Sequence, residues 1–351
     1  MKIQKNNIFK FGTALLVLVS LALSQGARNG TEAASQLLIH QGARYLSGGG
    51  SVATVDGVES AYWNPAGLAK GQGVNVLFSN RSYIAGMNVN FFGVALNAGK
   101  LGAFGLSGRM IDVGDIDVTD VYHPDGTGEV ITPSYFVVGL TYAKRLSDRT
   151  GMGISVNYIN EGFGRVKATG MTIDAGVQYE NFLDVEDLDV GVALRNFGNP
   201  MRYGGSGLWV NAEASGASRE TDWYKVEAGA FDMPFIMDIG AAYTIAGFNL
   251  GATYEVNHFS QDKIKLMAEY GFEDIAAVRV GYTMDTEEAK DDGDTPDIDE
   301  STMVESLYSG PSFGATLNLI KLTGLDLSID YALFMTEYFD DNHVIALRFG
   351  R

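Results

Sequence analysis

The chain has 351 residues, 43 acidic against 25 basic, a formal charge of −18, no cysteine, and 44 glycines against 7 prolines. Such acidity repels nucleic acid, and the missing cysteine excludes disulfides, thiol catalysis and cysteine-ligated metals. Abundant glycine and 17 tyrosines suit a strand-rich chain with close backbone approaches and aromatic belts. In chain order, Lys2, Lys5 and Lys10 make a basic start before an apolar run from Phe11 to Leu23, and small residues follow near Ser24-Gln25-Gly26. Residues 1–26 therefore read as a cleaved export signal, since the run falls short of the roughly 20 residues a spanning helix needs. Without its three lysines the charge becomes about −21.

Residues 27–72 fit neither a strand nor a linker. Leu37 to Leu46 is mildly helical, Gly48-Gly49-Gly50 interrupts it, and Ala61-Tyr62-Trp63-Asn64-Pro65-Ala66-Gly67-Leu68-Ala69 follows. Asn64-Pro65 suits an Asx-type turn, Gly67 permits a left-handed residue, and Trp63 and Leu68 can anchor the turn. Two readings stay open, a plug inside a barrel or a turn closing its base; both place these residues at the periplasmic end.

From residue 73 to 351, period-two alternation recurs. Ile173, Ala175, Val177 and Tyr179 share one face, and Thr172, Asp174, Gly176 and Gln178 the other. Segments around 250–256, 313–319 and 325–333 repeat this split. Strands are predicted at 73–80, 88–97, 101–110, 134–145, 151–160, 170–181, 188–196, 235–245, 247–256, 263–272, 275–284, 311–320, 325–334 and 342–349. Residues 222–231 are assigned to a loop. The connections alternate: those at 98–100, 146–150, 182–187, 246, 273–274 and 321–324 are short, whereas 111–133, 197–234 and 285–310 are the longest. An outer-membrane barrel with both ends in the periplasm sorts its loops in this way, and a soluble sandwich has no reason to. The expected fold is all-β, an antiparallel transmembrane barrel of about fourteen strands with a short N-terminal plug. Asp174, Asn249, Glu255, Asp326, Asp330 and Arg348 then face the lumen.

Catalytic and metal patterns do not hold together. Gly310-Pro311-Ser312-Phe313-Gly314 matches a nucleophile-elbow string but leads into a strand instead of a helix. His40, His123, His258 and His343 lack ligand spacing. The acidic run from Asp285 to Glu300 lacks the EF-hand order, which leaves calcium or a basic partner as weaker readings than a solvated loop. No enzyme activity, metal or cofactor is expected.

Gln41-Gly42-Ala43-Arg44, the glycine-rich stretch and Tyr62 to Ala69 resemble the amino-terminal signature of the PorV/PorQ family of FadL-like barrels. Val192 to Met201 and the final hairpin from Asp326 to Phe349 are similar to the same family, although the chain closes on Phe349-Gly350-Arg351 instead of on the aromatic residue. The resemblance implies an outer-membrane protein of type IX-like secretion that contacts translocon and attachment-complex proteins, secreted cargo and outer-membrane lipid. Its long loops would bind cargo through Tyr122, Tyr203, Trp209, Trp223 and Tyr224, unless those aromatics only pack loop against loop. The alternative is a FadL-type transporter of hydrophobic small molecules, with an apolar pocket leading to a lateral opening in the wall.

Overall fold

A computed structural model describes residues 31–46, 49–212, 222–273, 275–286, 309–336 and 339–350. The proposed signal, Gly48 and most of the acidic run lie outside them. Fourteen antiparallel strands close into one barrel, each paired with its sequence neighbours and the last with the first. They are β1 (Val74–Ser82), β2 (Asn88–Asn97), β3 (Ala103–Asp112), β4 (Ser134–Arg145), β5 (Thr150–Phe163), β6 (Val166–Tyr179), β7 (Leu188–Gly198), β8 (Ile236–Ile245), β9 (Phe248–Asn257), β10 (Lys263–Phe272), β11 (Ala276–Asp285), β12 (Gly310–Asn318), β13 (Leu327–Phe334) and β14 (Asn342–Phe349). Closure is what a lipid environment requires, because every backbone donor and acceptor of the wall must be paired.

Side-chain alternation runs apolar outside and polar inside. Ile173, Leu250, Phe313 and Ile345 are exposed on the outer face, whereas Thr172, Asp174, Glu255, Ser312 and Asp330 are buried in the lumen. Near the short-turn end the exterior carries paired rings, Phe104 with Tyr142 at 5.1 Å and Phe248 with Tyr270 at 4.7 Å, the aromatic girdle of a membrane interface. This apolar exterior places the protein in an outer membrane. In such a barrel the short turns face the periplasm and the long loops the outside.

The strand boundaries depart from expectation mainly at the outer end. β5 and β6 run on to Phe163 and from Val166 and stay paired with each other to that tip. Residues 222–231 are not a plain loop: Asp222–Lys225 pairs with Trp209–Ala212, and Ala230–Phe231 with Met201–Arg202, in small sheets off the barrel. Alternation over so few residues, without a buried face, gives no readable period.

Candidate functional site

Residues 31–70 lie inside the barrel as a hatch. Short helical turns at Ser51–Thr54, Gly57–Glu59, Ser60–Trp63 and Pro65–Lys70 pack against β1–β9. Asn64 is the N-cap of the last turn, its Oδ1 accepting from Ala66 N at 3.1 Å, and Pro65 at the first position has no donor to lose. The Asn64 amide also donates to Val52 O at 2.7 Å inside the hatch and to Val177 O at 3.2 Å on the wall. The turn therefore ties the hatch segment to β6. Trp63 is 1% exposed and donates to Gln41 O at 3.0 Å, while Leu68 is buried against Gly105 of β3.

Wall glycines create the seat. A Cβ on Gly176 would stand 1.9 Å from Asn64 Oδ1, one on Gly153 2.3 Å from the Pro65 carbonyl carbon, and one on Gly251 2.5 Å from Gly49 O. Because Gly153 faces backbone that cannot rotate away, Gly153→Val is expected to displace the hatch at a cost of about 1–3 kcal/mol. Ion conductance in planar bilayers checks it; a variant as tight as the parent would refute the seating argument.

Above the Asn64 turn, the lumen is spanned by buried charges. Arg195 on β7 donates to Asp238 at 2.7 Å and reaches Glu255 at 3.3 Å. Lys265 donates to Glu255 at 2.6 Å and lies 3.4 Å from His40 Nε2. These cations cover hatch aromatics: Arg195 stands 5.0 Å from the Tyr62 ring centroid, Arg109 5.1 Å from the same ring, and Lys265 5.3 Å from Trp63. Charge–quadrupole attraction strengthens when water is excluded, so the wall grips the hatch here. Burial foremost, then Lys265 and its cationic neighbours, hold His40 well below its ordinary pKa and keep it neutral.

Nearer the long loops the lumen turns apolar. Ala33, Ala34 and Leu37 of the hatch meet Val137, Ile159 and Ala168 of the wall and Met201 and Met233 of the loop between β7 and β8, with Tyr203 packed against them. The Tyr203 hydroxyl donates to the buried Glu161 carboxylate of β5. Tyr203, expected as a surface contact, is turned inward because its ring packs against this cluster while its hydroxyl finds a buried acceptor. Tyr122, Trp209, Trp223 and Tyr224 lie on the surface, and the last three share the exposed hairpin Trp209–Ala212/Asp222–Lys225.

Beside the cluster the wall is irregular. The β6–β7 register shifts between Ile173 and Ala175, and Asn196 sits at φ 62°. Asp174 fills the gap in the ladder, accepting from Asn196 N at 2.6 Å and from the Asn157 amide at 2.7 Å. Bulges of this kind bend a strand and re-aim its side chains. The sequence signalled nothing of Arg195, Lys265 and Asp238 as a hatch clamp, since each is merely one polar position in an alternating strand.

No protein-family model and no curated protein matches the chain. Solved structures do. A TodX monoaromatic hydrocarbon channel mutant aligns with a TM-score of 0.57 at 12% identity, over 89% of this chain and 99% of that one. The CymD monoaromatic hydrocarbon channel gives 0.50 at 11%, over 92% and 96%. The Pseudomonas putida toluene transporter TodX gives 0.50 at 12%, over 88% and 96%. The fold is that of the FadL-like outer-membrane barrels. At this identity the likeness is one of fold.

Proposed function

We propose that this barrel is a passive outer-membrane transporter of hydrophobic small molecules, taken up beneath the long loops. The observation that carries the reading is the buried apolar cluster of Leu37, Val137, Ile159, Ala168, Met201 and Met233 beneath the long loops, where an apolar guest would displace side chains of its own kind. Mostly apolar lining with one placed polar group, here the Tyr203–Glu161 pair, is the usual chemistry of a small-molecule site. Methionines adapt their shape to differing guests. The solved barrels of similar fold include channels described as carrying monoaromatic hydrocarbons and toluene, and the irregular β6–β7 wall beside the cluster is where a lateral exit would open. Uptake of radiolabelled toluene by cells expressing the protein tests the reading. Ile159→Asp, which puts a charge in the cluster, is expected to lower uptake about tenfold or more; equal uptake with and without the protein would sink the proposal.

A second reading, partner binding in type IX-like secretion, draws on the exposed hairpin, where Trp209 is 47% and Trp223 61% exposed, and on the sequence resemblance. Exposed Trp and Tyr are common anchors of protein interfaces. Pull-down from solubilised outer membrane separates the two: secreted proteins sharing a carboxy-terminal domain, together with translocon and attachment-complex proteins, in the eluate favour this reading, and their absence favours transport.

A further inference from the structure

The hatch leaves one side of the lumen open. The wall contacts of its helical turns are with β1–β9, and between it and β10–β14 lies a cavity of about 490 Å³ at the short-turn end, in the size range of small-molecule sites. Unlike the upper cluster it is lined by charge. Arg44 and Lys70 come from the hatch, Arg279 and Arg348 from the wall, with Asp56, Glu269 and Asp326 as the facing carboxylates. In a chain with 18 more acidic than basic side chains, a lining of four cations and three carboxylates is locally rich in cations.

The pairing shows which cations are committed. Arg279 is held by Glu269 and donates to Thr316 at 2.8 Å. Arg44 meets Asp56 at 2.6 Å. The Lys70 amine has only a backbone carbonyl at 3.4 Å and Glu180 at 3.6 Å. Arg348 touches Asp330 through one terminal nitrogen at 3.3 Å, and its Nε is buried without a hydrogen-bond partner. Enclosure alone would raise the pKa of Asp56; Arg44, Arg348 and Lys70 outweigh it and hold that carboxyl below its usual range. Each of the four cations thus has one carboxylate neighbour, and Lys70 and Arg348 are the two held most loosely, at 3.6 Å from Glu180 and 3.3 Å from Asp330. Glu59, immediately behind them, is pushed up to about 7 and carries less than a full negative charge at neutrality.

We propose that this cavity binds an organic oxyanion, a carboxylate or phosphate group reaching it from the periplasmic side, through Arg348, Lys70 and Arg44. A guanidinium held through one terminal nitrogen keeps further donors in the planar fork such groups accept, and an ammonium adds a point charge. Two sources carry this chemistry: a free periplasmic anion, or the headgroup of an anionic phospholipid at the rim. The assignment rests on the cavity alone and is independent of what passes the upper cluster.

Calorimetric titration of inorganic phosphate into the detergent-solubilised full chain at low salt tests it. Binding should weaken about tenfold in Arg348→Gln and in Lys70→Gln, the loss expected for one charge-assisted contact, and recover in part in Arg348→Lys. Arg202→Gln, on the outer loop and 58% exposed at its side chain, should bind like the parent. Nanodiscs separate the sources. If phosphate binds in phosphatidylcholine discs but not in phosphatidylglycerol discs, the headgroup is the ligand, and if it binds in both, a free anion is. Should Arg348→Gln fail to show the heat-dependent gel shift of a folded barrel, Lys70→Gln decides alone. No phosphate binding by the parent, or parental affinity in both folded glutamine variants, overturns the proposal.

Discussion

Arg195→Ala is expected to unseat the hatch, at a cost of about 3–5 kcal/mol. The substitution removes the partner that Asp238 binds at 2.7 Å and the cation over Tyr62, while Glu255 keeps Lys265 at 2.6 Å. One carboxylate is then left buried without a counter-charge, and it is this orphaning, more than the loss of the pair itself, that is costly. Urea unfolding of the folded protein in vesicles measures the loss, and planar-bilayer conductance shows whether the lumen opens. Neutralising the orphan in Arg195→Met/Asp238→Asn should recover most of the stability, since a well-packed neutral pair avoids the desolvation of two charges. An Arg195→Ala protein as stable and as tight as the parent would mean the cations merely fill space.

The hatch should also loosen as the medium becomes alkaline. Burial, then the Asp330 carboxylate and Asp56, push the Glu59 carboxyl up to about 7 against an ordinary 4.5, despite the opposing pull of Arg348 and Arg44. Its Oε1 accepts from Arg44 N at 3.3 Å and lies where a side chain on Gly42 would stand. When the hatch opens, Glu59 returns to its ordinary value, so the seated state binds more protons between the two. The contribution to seating is therefore full below about pH 4.5, declines as the pH rises through 7, and amounts to about 3 kcal/mol across that window. Hydrogen exchange of residues 41–60, corrected for intrinsic rates, should show faster opening at about pH 8 than at pH 5, and Glu59→Gln should flatten the difference. Equal pH dependence in both proteins would remove Glu59 as the cause.

What could be read without coordinates follows from period two. Every wall strand has one face in lipid and one in the lumen, so Ile173 outside and Asp174 inside are dictated by transfer energetics at each position. The sorted connections then gave fourteen strands and the two ends of the barrel. Asn64-Pro65 signalled its turn because cap and proline chemistry are local. The sequence alone also carried the excess of acid and the absence of cysteine.

Other features depend on residues far apart in the chain. Arg195, Asp238, Glu255 and Lys265 become a clamp on Tyr62 and Trp63 only when β7–β10 stand side by side around the hatch. Tyr203 was legible as an aromatic in a long loop, but its direction is set by Glu161, 42 residues earlier on another strand. The break in register at Asp174 shows in β7 alone, where the alternation Val190, Val192, Leu194 skips to Phe197 across Arg195 and Asn196, both buried; that Asp174 fills it requires the partner strand. Barrel closure likewise decides that Arg44 and Lys70 of the hatch face Arg348 at the opposite end of the chain. Alternation is a property of each strand with its solvent, and composition and local turn chemistry reveal it; pairing across the lumen is a property of closure, and only the tertiary structure brings those charges together.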